Sequence, residues 1–221
     1  MLEYKNPAVT VDSIILRMHN QQLEVLTMKR TDEPYRDKLS LIGGFVKYGE
    51  TIDESLLRVL KNKAQLELSS ADQAIVLPIV SDGKPDIRGW IFTVPVVVML
   101  KDLQIVDANL QFKSVSLDVS GKLVFDEKLA FDHNHVLELS LNYLRNQLLL
   151  HNYKILRPLL NEPFTSRELY NAVHLLTGVD KTLSNFMRET AVKKSLVSTG
   201  ERVTAKSGGP SGQPALLYMW S

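Results

Sequence analysis

The sequence predicts an α/β sandwich followed by a small α+β unit, and three observations carry that prediction. The first 120 residues are mostly strand-like runs rich in β-branched residues, interrupted by one clear helix. A long amphipathic stretch, "HNHVLELSLNYLRNQLLLHN", then reads as a second helix. From about Lys154 the pattern changes to helix, short turn, helix and two further strand-like runs. The 221 residues are enough for a sizeable core, and this change of pattern divides them into 1–150 and 151–221.

The elements follow in order. "AVTVDSIILRM" and "QLEVLTMKR" are strands separated by the turn-like "HNQQ". The helix from Thr51 to about Gln65 carries Ile52, Leu56, Leu57, Leu60 and Ala64 at helical spacing, and Thr51 with Glu54 can form a capping box at its start. "AIVLPIV" and "RGWIFTVPVVVML" are near-continuous apolar runs, expected of strands covered on both faces, with the turn chemistry of "SDGKPD" between them. In the second part, "FTSRELYNAVHLLTG" has Thr165 as cap, Glu168 three residues on, Phe164 and Leu169 as a hydrophobic staple, and Gly178 as terminator. "KTLSNFMRETAVKK" is the next helix, with Leu183, Phe186, Met187, Thr190 and Ala191 facing inward. "SLVSTGERVTA" and "PALLYMW", joined by "KSGGPSGQ", complete a hairpin. Together these describe a winged helix-turn-helix.

Composition excludes several classes. With 44% apolar and 23% charged residues the chain reads as ordinary globular protein, and the absence of cysteine removes disulfides and thiolate metal sites. "MLEYKNPAVTVD" does not read as a signal peptide, and the longest apolar stretch, near Val94 to Leu100, is too short to span a bilayer. A cytoplasmic protein with no membrane association is the expectation. Residues 1–150 hold 17 basic and 20 acidic side chains, a net −3, whereas 151–221 hold 9 and 5, a net +4. A basic second part suits a nucleic-acid partner, although random scatter gives the same totals.

The chemistry concentrates in "GGFVKYGETIDESLLRVLKNKAQLEL", Gly43 to Leu68. The stretch resembles the Nudix box, G-x5-E-x7-R-E-U-x-E-E-x-G-U, where U is bulky and aliphatic. Gly44, Glu50 and Arg58 match in register, and Leu60 and Leu66 fill the aliphatic positions. Val59, Asn62 and Lys63 stand where the family has glutamates, and Gln65 stands where it has glycine. Positions 59, 62 and 63 share one helical face. In the hydrolases that face gathers carboxylates around magnesium beside a phosphate group. Here it offers an isopropyl group, an amide and an ammonium, and Lys63 opposes a divalent cation at that place. No catalytic residue, metal site or cofactor is therefore expected.

Binding can outlast catalysis, because a glycine-rich loop opening into a helix N-terminus still presents N–H groups to an anion. The candidate ligand-binding residues are Gly43, Gly44, Phe45, Glu50 and Arg58, with Arg30, Arg36, Lys38 and Arg88 in segments that can face the same crevice. A plain glycine turn flanked by solvated arginines is the other reading of the same residues.

The second helix of the C-terminal part places Lys181, Ser184, Asn185 and Arg188 along one polar stripe. Asn and Arg suit adenine and guanine edges, and Lys suits phosphate. Thr165, Ser166 and Arg167 can hold backbone phosphates, while Lys193, Lys194 and Lys206 add attraction independent of sequence. A solvated face on a protein-binding module is the other reading of the same stripe.

The combination resembles the Nudix-related transcriptional regulators of the NrtR type. Their recognition helix carries an N-F-R-R-like run, matched here by Asn185-Phe186-Met187-Arg188, and their wing a G-R-P-A-x-L-Y-like run, matched by Gly212 to Tyr218 with Gln213 for the arginine. "DIRGWIF" (Asp86 to Phe92) and "LAFDHNHVLELSLNYLR" (Leu129 to Arg145) also resemble family segments. The resemblance implies an α/β/α Nudix sandwich joined to the winged helix, and adds Phe186 and Gln213 to the DNA-binding candidates. It further implies a homodimeric repressor of NAD-metabolism genes that binds a palindromic DNA operator and responds to ADP-ribose or a related metabolite. A sugar-responsive branch of the family and an active Nudix pyrophosphatase with an accessory domain are the alternatives.

Overall fold

One strand organises the N-terminal part of the computed structural model, which describes residues 6–68, 74–81, 88–101, 103–105, 107–118, 122–204 and 214–221. β1 (Ala8–His19) pairs in parallel with β6 (Ile91–Met99), from Ala8 opposite Ile91 to Leu16 opposite Met99. Its other side has two successive antiparallel partners. β4 (Ile42–Phe45) lies along Thr10 to Ser13, and β2 (Gln22–Lys29) along Leu16 to His19. β3 (Leu39–Ser40) and β7 (Leu110–Leu117) extend the sheet from β2; β8 (Leu123–Val124) and β5 (Ala74–Val76) close its two ends. The result is a mixed α/β, Nudix-like fold.

Alternation along β1 decides what covers each face. Val11 and Ile15 pack with Leu56, Val59 and Leu60 of α1 (Ile52–Val59) and its continuation. Ile14 and Leu16 pack in the cluster that contains Val136, Leu137 and Leu141 of α2 (His133–Leu149). β6, covered on both sides, is buried almost throughout, as its apolar run predicts.

The capping box expected at the first helix is present: Thr51 accepts from the Glu54 amide, and the Glu54 carboxylate accepts from the Thr51 amide at 2.8 Å. Past Val59 the helix widens into a π turn, Leu60–Ala64, and ends at Gln65 in the left-handed conformation, φ 55°. That is the position where the box it resembles has glycine, so glutamine here carries the conformational cost that glycine avoids.

After α2, a 3-10 segment (Tyr153–Leu159) leads to β9 (Phe164–Thr165) and α3 (Ser166–Thr177). Thr165 and Glu168 form the second expected capping box, and Gly178 ends α3 with φ 67°. Then come α4 (Leu183–Arg188), α5 (Thr190–Ser195), β10 (Leu196–Val203) and β11 (Ala215–Trp220), with β11 between β10 and β9 in a three-stranded sheet. Leu169 and Leu176 of α3, Phe186 and Trp220 share one buried cluster with Leu144 and Leu148 of α2. Apolar packing is thus continuous from the large sheet's helix into the C-terminal elements.

One expected element differs. "KTLSNFMRETAVKK" is two short helices, because Glu189 adopts φ −63°, ψ 136° between them. The break shifts the helical phase, so Thr190 is exposed instead of facing inward and Val192 is buried in its stead.

Candidate functional site

The fork where β1 changes partner opens beside a cavity of about 700 Å³. Thr10 and Asp12 come from β1, Met28 and Lys29 from β2, Gly43, Gly44 and Phe45 from β4, and Asn62 and Lys63 from the π turn. Phe131, Asp132 and His133 supply the wall at the start of α2, and Arg30, Tyr35 and Arg88 join it, with Asp32 and Asp107 among the other lining residues.

Its floor is a largely buried polar network, in which each group finds a partner within the protein. Thr10 donates to Asp12 at 3.0 Å and lies 3.1 Å from the Thr93 hydroxyl. His133 Nδ1 accepts from the Leu41 amide at 2.9 Å, which puts the proton of the neutral ring on Nε2, 3.7 Å from Asp12. Burial pushes the His133 pKa down and outweighs the nearby Asp12 charge.

The rim is aromatic and cationic. Phe131 is the hub: Arg88 stacks over its ring at 4.0 Å, Arg30 at 4.8 Å, and Tyr35 meets it edge-on at 4.8 Å. Arg88 also lies 5.5 Å over Phe45. Such a rim can sandwich a flat ring while guanidinium groups meet phosphate oxygens.

The glycines work differently from the expectation. Gly43 and Gly44 are strand residues, paired with Asp12 and Val11, and do not open into the helix. A Cβ on Gly43 would sit 1.7 Å from Asp12 Oδ1, and one on Gly44 2.9 Å from Val59 Cγ2. They are small because the strand, the Asp12 carboxylate and α1 converge there. The N-terminus of α1 lies outside the cavity lining, and its capping box engages the Glu54 and Thr51 amides.

Five of the nine candidate ligand residues, Arg30, Gly43, Gly44, Phe45 and Arg88, line this cavity together. Arg36, Lys38, Glu50 and Arg58 do not. Arg36 faces Glu33 at 3.9 Å, and Lys38 is exposed. Arg58 grips Glu50 at 2.5 and 2.7 Å and also donates to Phe45 O, so the pair fastens the loop between β4 and α1. The Arg58 guanidinium and the Lys47 amide hold the Glu50 pKa at about 2. The sequence reading missed Tyr35, Asp12, Phe131 and His133 as cavity residues. Phe131 and His133 fall in the Leu129 to Arg145 segment that carried the family resemblance, which was their one signal.

The metal question can be tested on geometry. Val59 is 1% exposed in the core, and the Lys63 ammonium donates to Gly43 O. Among the described residues no three His, Asp or Glu side chains converge into a metal-binding group. The residues present do not fit the magnesium cluster of a complete box.

At the other end of the chain, Ser184, Asn185 and Arg188 of α4 are exposed side by side, with Arg167, Lys193 and Lys194 exposed on α3 and α5. Lys181 precedes α4 and is ion-paired with Glu189, which shortens the stripe. Phe186 is no surface contact: it is 2% exposed and packs edge-on against Tyr153 and Tyr170. The Thr165 hydroxyl is engaged in its capping box, and Ser166 is half-buried. Lys206 and Gln213 lie outside the described residues. No helix among the described residues is long and apolar enough to cross a membrane.

Comparison with known proteins agrees with this arrangement. No family model matches the chain. It is 27% identical to the ADPR responsive transcriptional repressor NtrR of Acinetobacter baylyi over 99% of this chain and 84% of that protein. The crystal structure of Shewanella oneidensis NrtR superposes with a TM-score of 0.73 at 26% identity, covering 96% of this chain and 94% of that one. That protein has also been crystallised with a 27mer DNA and, as its Nudix domain, with ADP ribose. The ADP-ribose pyrophosphatase of Methanocaldococcus jannaschii is 29% identical over 61% of this chain and 73% of its own length.

Proposed function

We propose that this chain, similar over nearly all of its residues to NrtR-type regulators, is a DNA-binding transcriptional repressor that senses ADP-ribose, or a closely related metabolite, in a catalytically inactive Nudix domain. Residues 1–150 form the sensing domain and 151–221 a winged helix-turn-helix that reads a palindromic operator as part of a homodimer. Genes of NAD metabolism are the targets the family resemblance implies.

The carrying observation is the state of the box. The helix face that would hold metal carries Val59, Asn62 and Lys63, while the cavity beside it keeps four cations, Lys29, Arg30, Lys63 and Arg88, among Tyr35, Phe45 and Phe131. Rings and guanidinium groups suit an adenine and a diphosphate. On the DNA side, Asn185 and Arg188 are the base-reading pair; Arg167, Lys193 and Lys194 hold phosphates.

A route between the two ends is available. Asp132 and His133, lining the cavity, flank the start of α2, whose far end packs on α3. Lys101, next to β6, also reaches the capping residue Glu168 at 3.7 Å. A ligand that favours one position of α2 shifts α3, and two winged helices must match half-sites about 34 Å apart. DNA is released only if the ligand binds the two arrangements unequally.

A gel-shift with the chain's own upstream DNA, with and without ADP-ribose, tests the proposal. Retardation that ADP-ribose relieves supports it, and no retardation at low salt refutes it. Incubation with ADP-ribose and magnesium tests the inactive-enzyme half, where turnover would favour the pyrophosphatase alternative.

A further inference from the structure

Three positions of the box have lost their glutamates, and the structure treats them differently. Val59 has moved into the core, where its Cγ2 leaves no room for a side chain on Gly44. Asn62 and Lys63 remain in the cavity wall. The Lys63 ammonium reaches across to Gly43 O, and so sits against the glycine strand, beside the Asp12 carboxylate whose place that strand protects.

We propose that Lys63 is a tethered cation that replaces a divalent metal as counter-charge to the diphosphate of the bound ligand, making recognition independent of metal. The proposal rests on the reading of the cavity as a sensor of ADP-ribose-type compounds.

Three features support it. An ammonium carries three donors, and Gly43 O accepts one, which leaves donors for ligand oxygens. Lys63 also shares the cavity with Lys29, Arg30 and Arg88, which with it offset the carboxylates of Asp12, Asp32, Asp107 and Asp132 on the same lining. Desolvation, the largest effect, holds its pKa below the ordinary lysine value; Asp12 and Asp32 oppose this, and Arg30 and Arg58 add to it. An anion bound beside Lys63 relieves its repulsion by Arg30 and Arg58, whereas a divalent cation would be repelled by the ammonium. Finally, the point of attachment is stiff. Lys63 lies in the π turn, one turn beyond the Arg58–Glu50 pair, on a helix whose inner face is fully buried. A charge held in place before binding loses less on ordering than a recruited ion.

Isothermal titration of the full chain with ADP-ribose and with ADP, each in EDTA and in millimolar magnesium, tests this. Wild type is expected to bind equally in both buffers, within twofold. Lys63→Met should weaken both ligands about 10- to 100-fold in either buffer, the range of a charge-assisted contact. Lys63→Arg should keep most of the affinity, and Lys63→Glu should bind only when magnesium is supplied. Melting curves of each variant confirm that it is folded. A wild type that needs magnesium, or folded Lys63→Met binding like wild type, overturns the inference while leaving the sensor reading intact. Failure of ADP-ribose to bind, with ADP still bound through Lys63, overturns the ADP-ribose reading instead and keeps the tethered cation. Failure of both ligands to bind overturns both.

Discussion

Gly43→Ala tests whether the cavity floor is as tightly built as its distances indicate. An added Cβ would lie 1.7 Å from Asp12 Oδ1, 2.8 Å from Asp12 Cγ and 2.9 Å from Val11 O. Ordinary contact begins near 3.4 Å, so the carboxylate must move by well over an ångström and the strand by several tenths. Moving the carboxylate breaks the buried Thr10–Asp12 hydrogen bond, worth about 1.5–3 kcal/mol because the acceptor is charged. Forcing β4 away from β1 adds about 1–3 kcal/mol of overpacking. A loss of about 3 kcal/mol is expected, which for a chain of this size lowers the melting temperature by about 6–12 °C. Urea unfolding followed by tryptophan fluorescence measures it. The double variant Asp12→Ala/Gly43→Ala, in which the collision is absent, should show strong coupling between the two changes. A single variant within about 0.5 kcal/mol of wild type would show that strand and carboxylate adapt freely, and the argument for a preformed floor would fail.

The remaining expectations follow the same contacts. Gln65→Gly should stabilise the chain by about 1 kcal/mol, since φ 55° is costly for glutamine and free for glycine; thermal melts would detect a loss instead. The Glu50 carboxylate has a folded pKa of about 2 against an ordinary 4.5, so its contribution is complete above pH 4.5 and fades as pH falls toward 2. Urea midpoints between pH 6 and 3 should therefore fall more steeply in wild type than in Glu50→Gln. Phe186→Ala should cost about 3–5 kcal/mol of stability, as expected for a buried ring and not for a base contact. Arg188→Ala should leave stability unchanged and weaken operator binding by about 1–3 kcal/mol; an unaltered gel-shift would remove it from the base-reading pair.

Local rules were legible wherever the signal and its cause lay within a few residues. Both capping boxes, the Gly178 terminator, the first strand from its β-branched run and the apolar β6 all formed as read. The break at Glu189 had no such signal. Its backbone turns where Glu189 accepts contacts from Lys181 and Tyr153, the latter far away in sequence, and helical spacing counted through it therefore misplaced Thr190. The candidate cations separated for a similar reason. Arg30 and Arg88 stack on Phe131, whereas Arg58 turns to Glu50, and a motif cannot say which partner a guanidinium will choose.

The sequence by itself determined that the magnesium carboxylates are gone, that the box frame remains, and that a helix-turn-helix pattern follows it, because residue identity and spacing along one helix are local facts. Only the tertiary structure decided where an anion would be met. Pairing β4 with the first half of β1 makes the glycines strand residues, closes the helix N-terminus off from the cavity, and brings Lys63, Arg30, Arg88 and Phe131 together from four separate segments. Contacts of that kind depend on strand register and on long-range packing, which no short run of residues encodes.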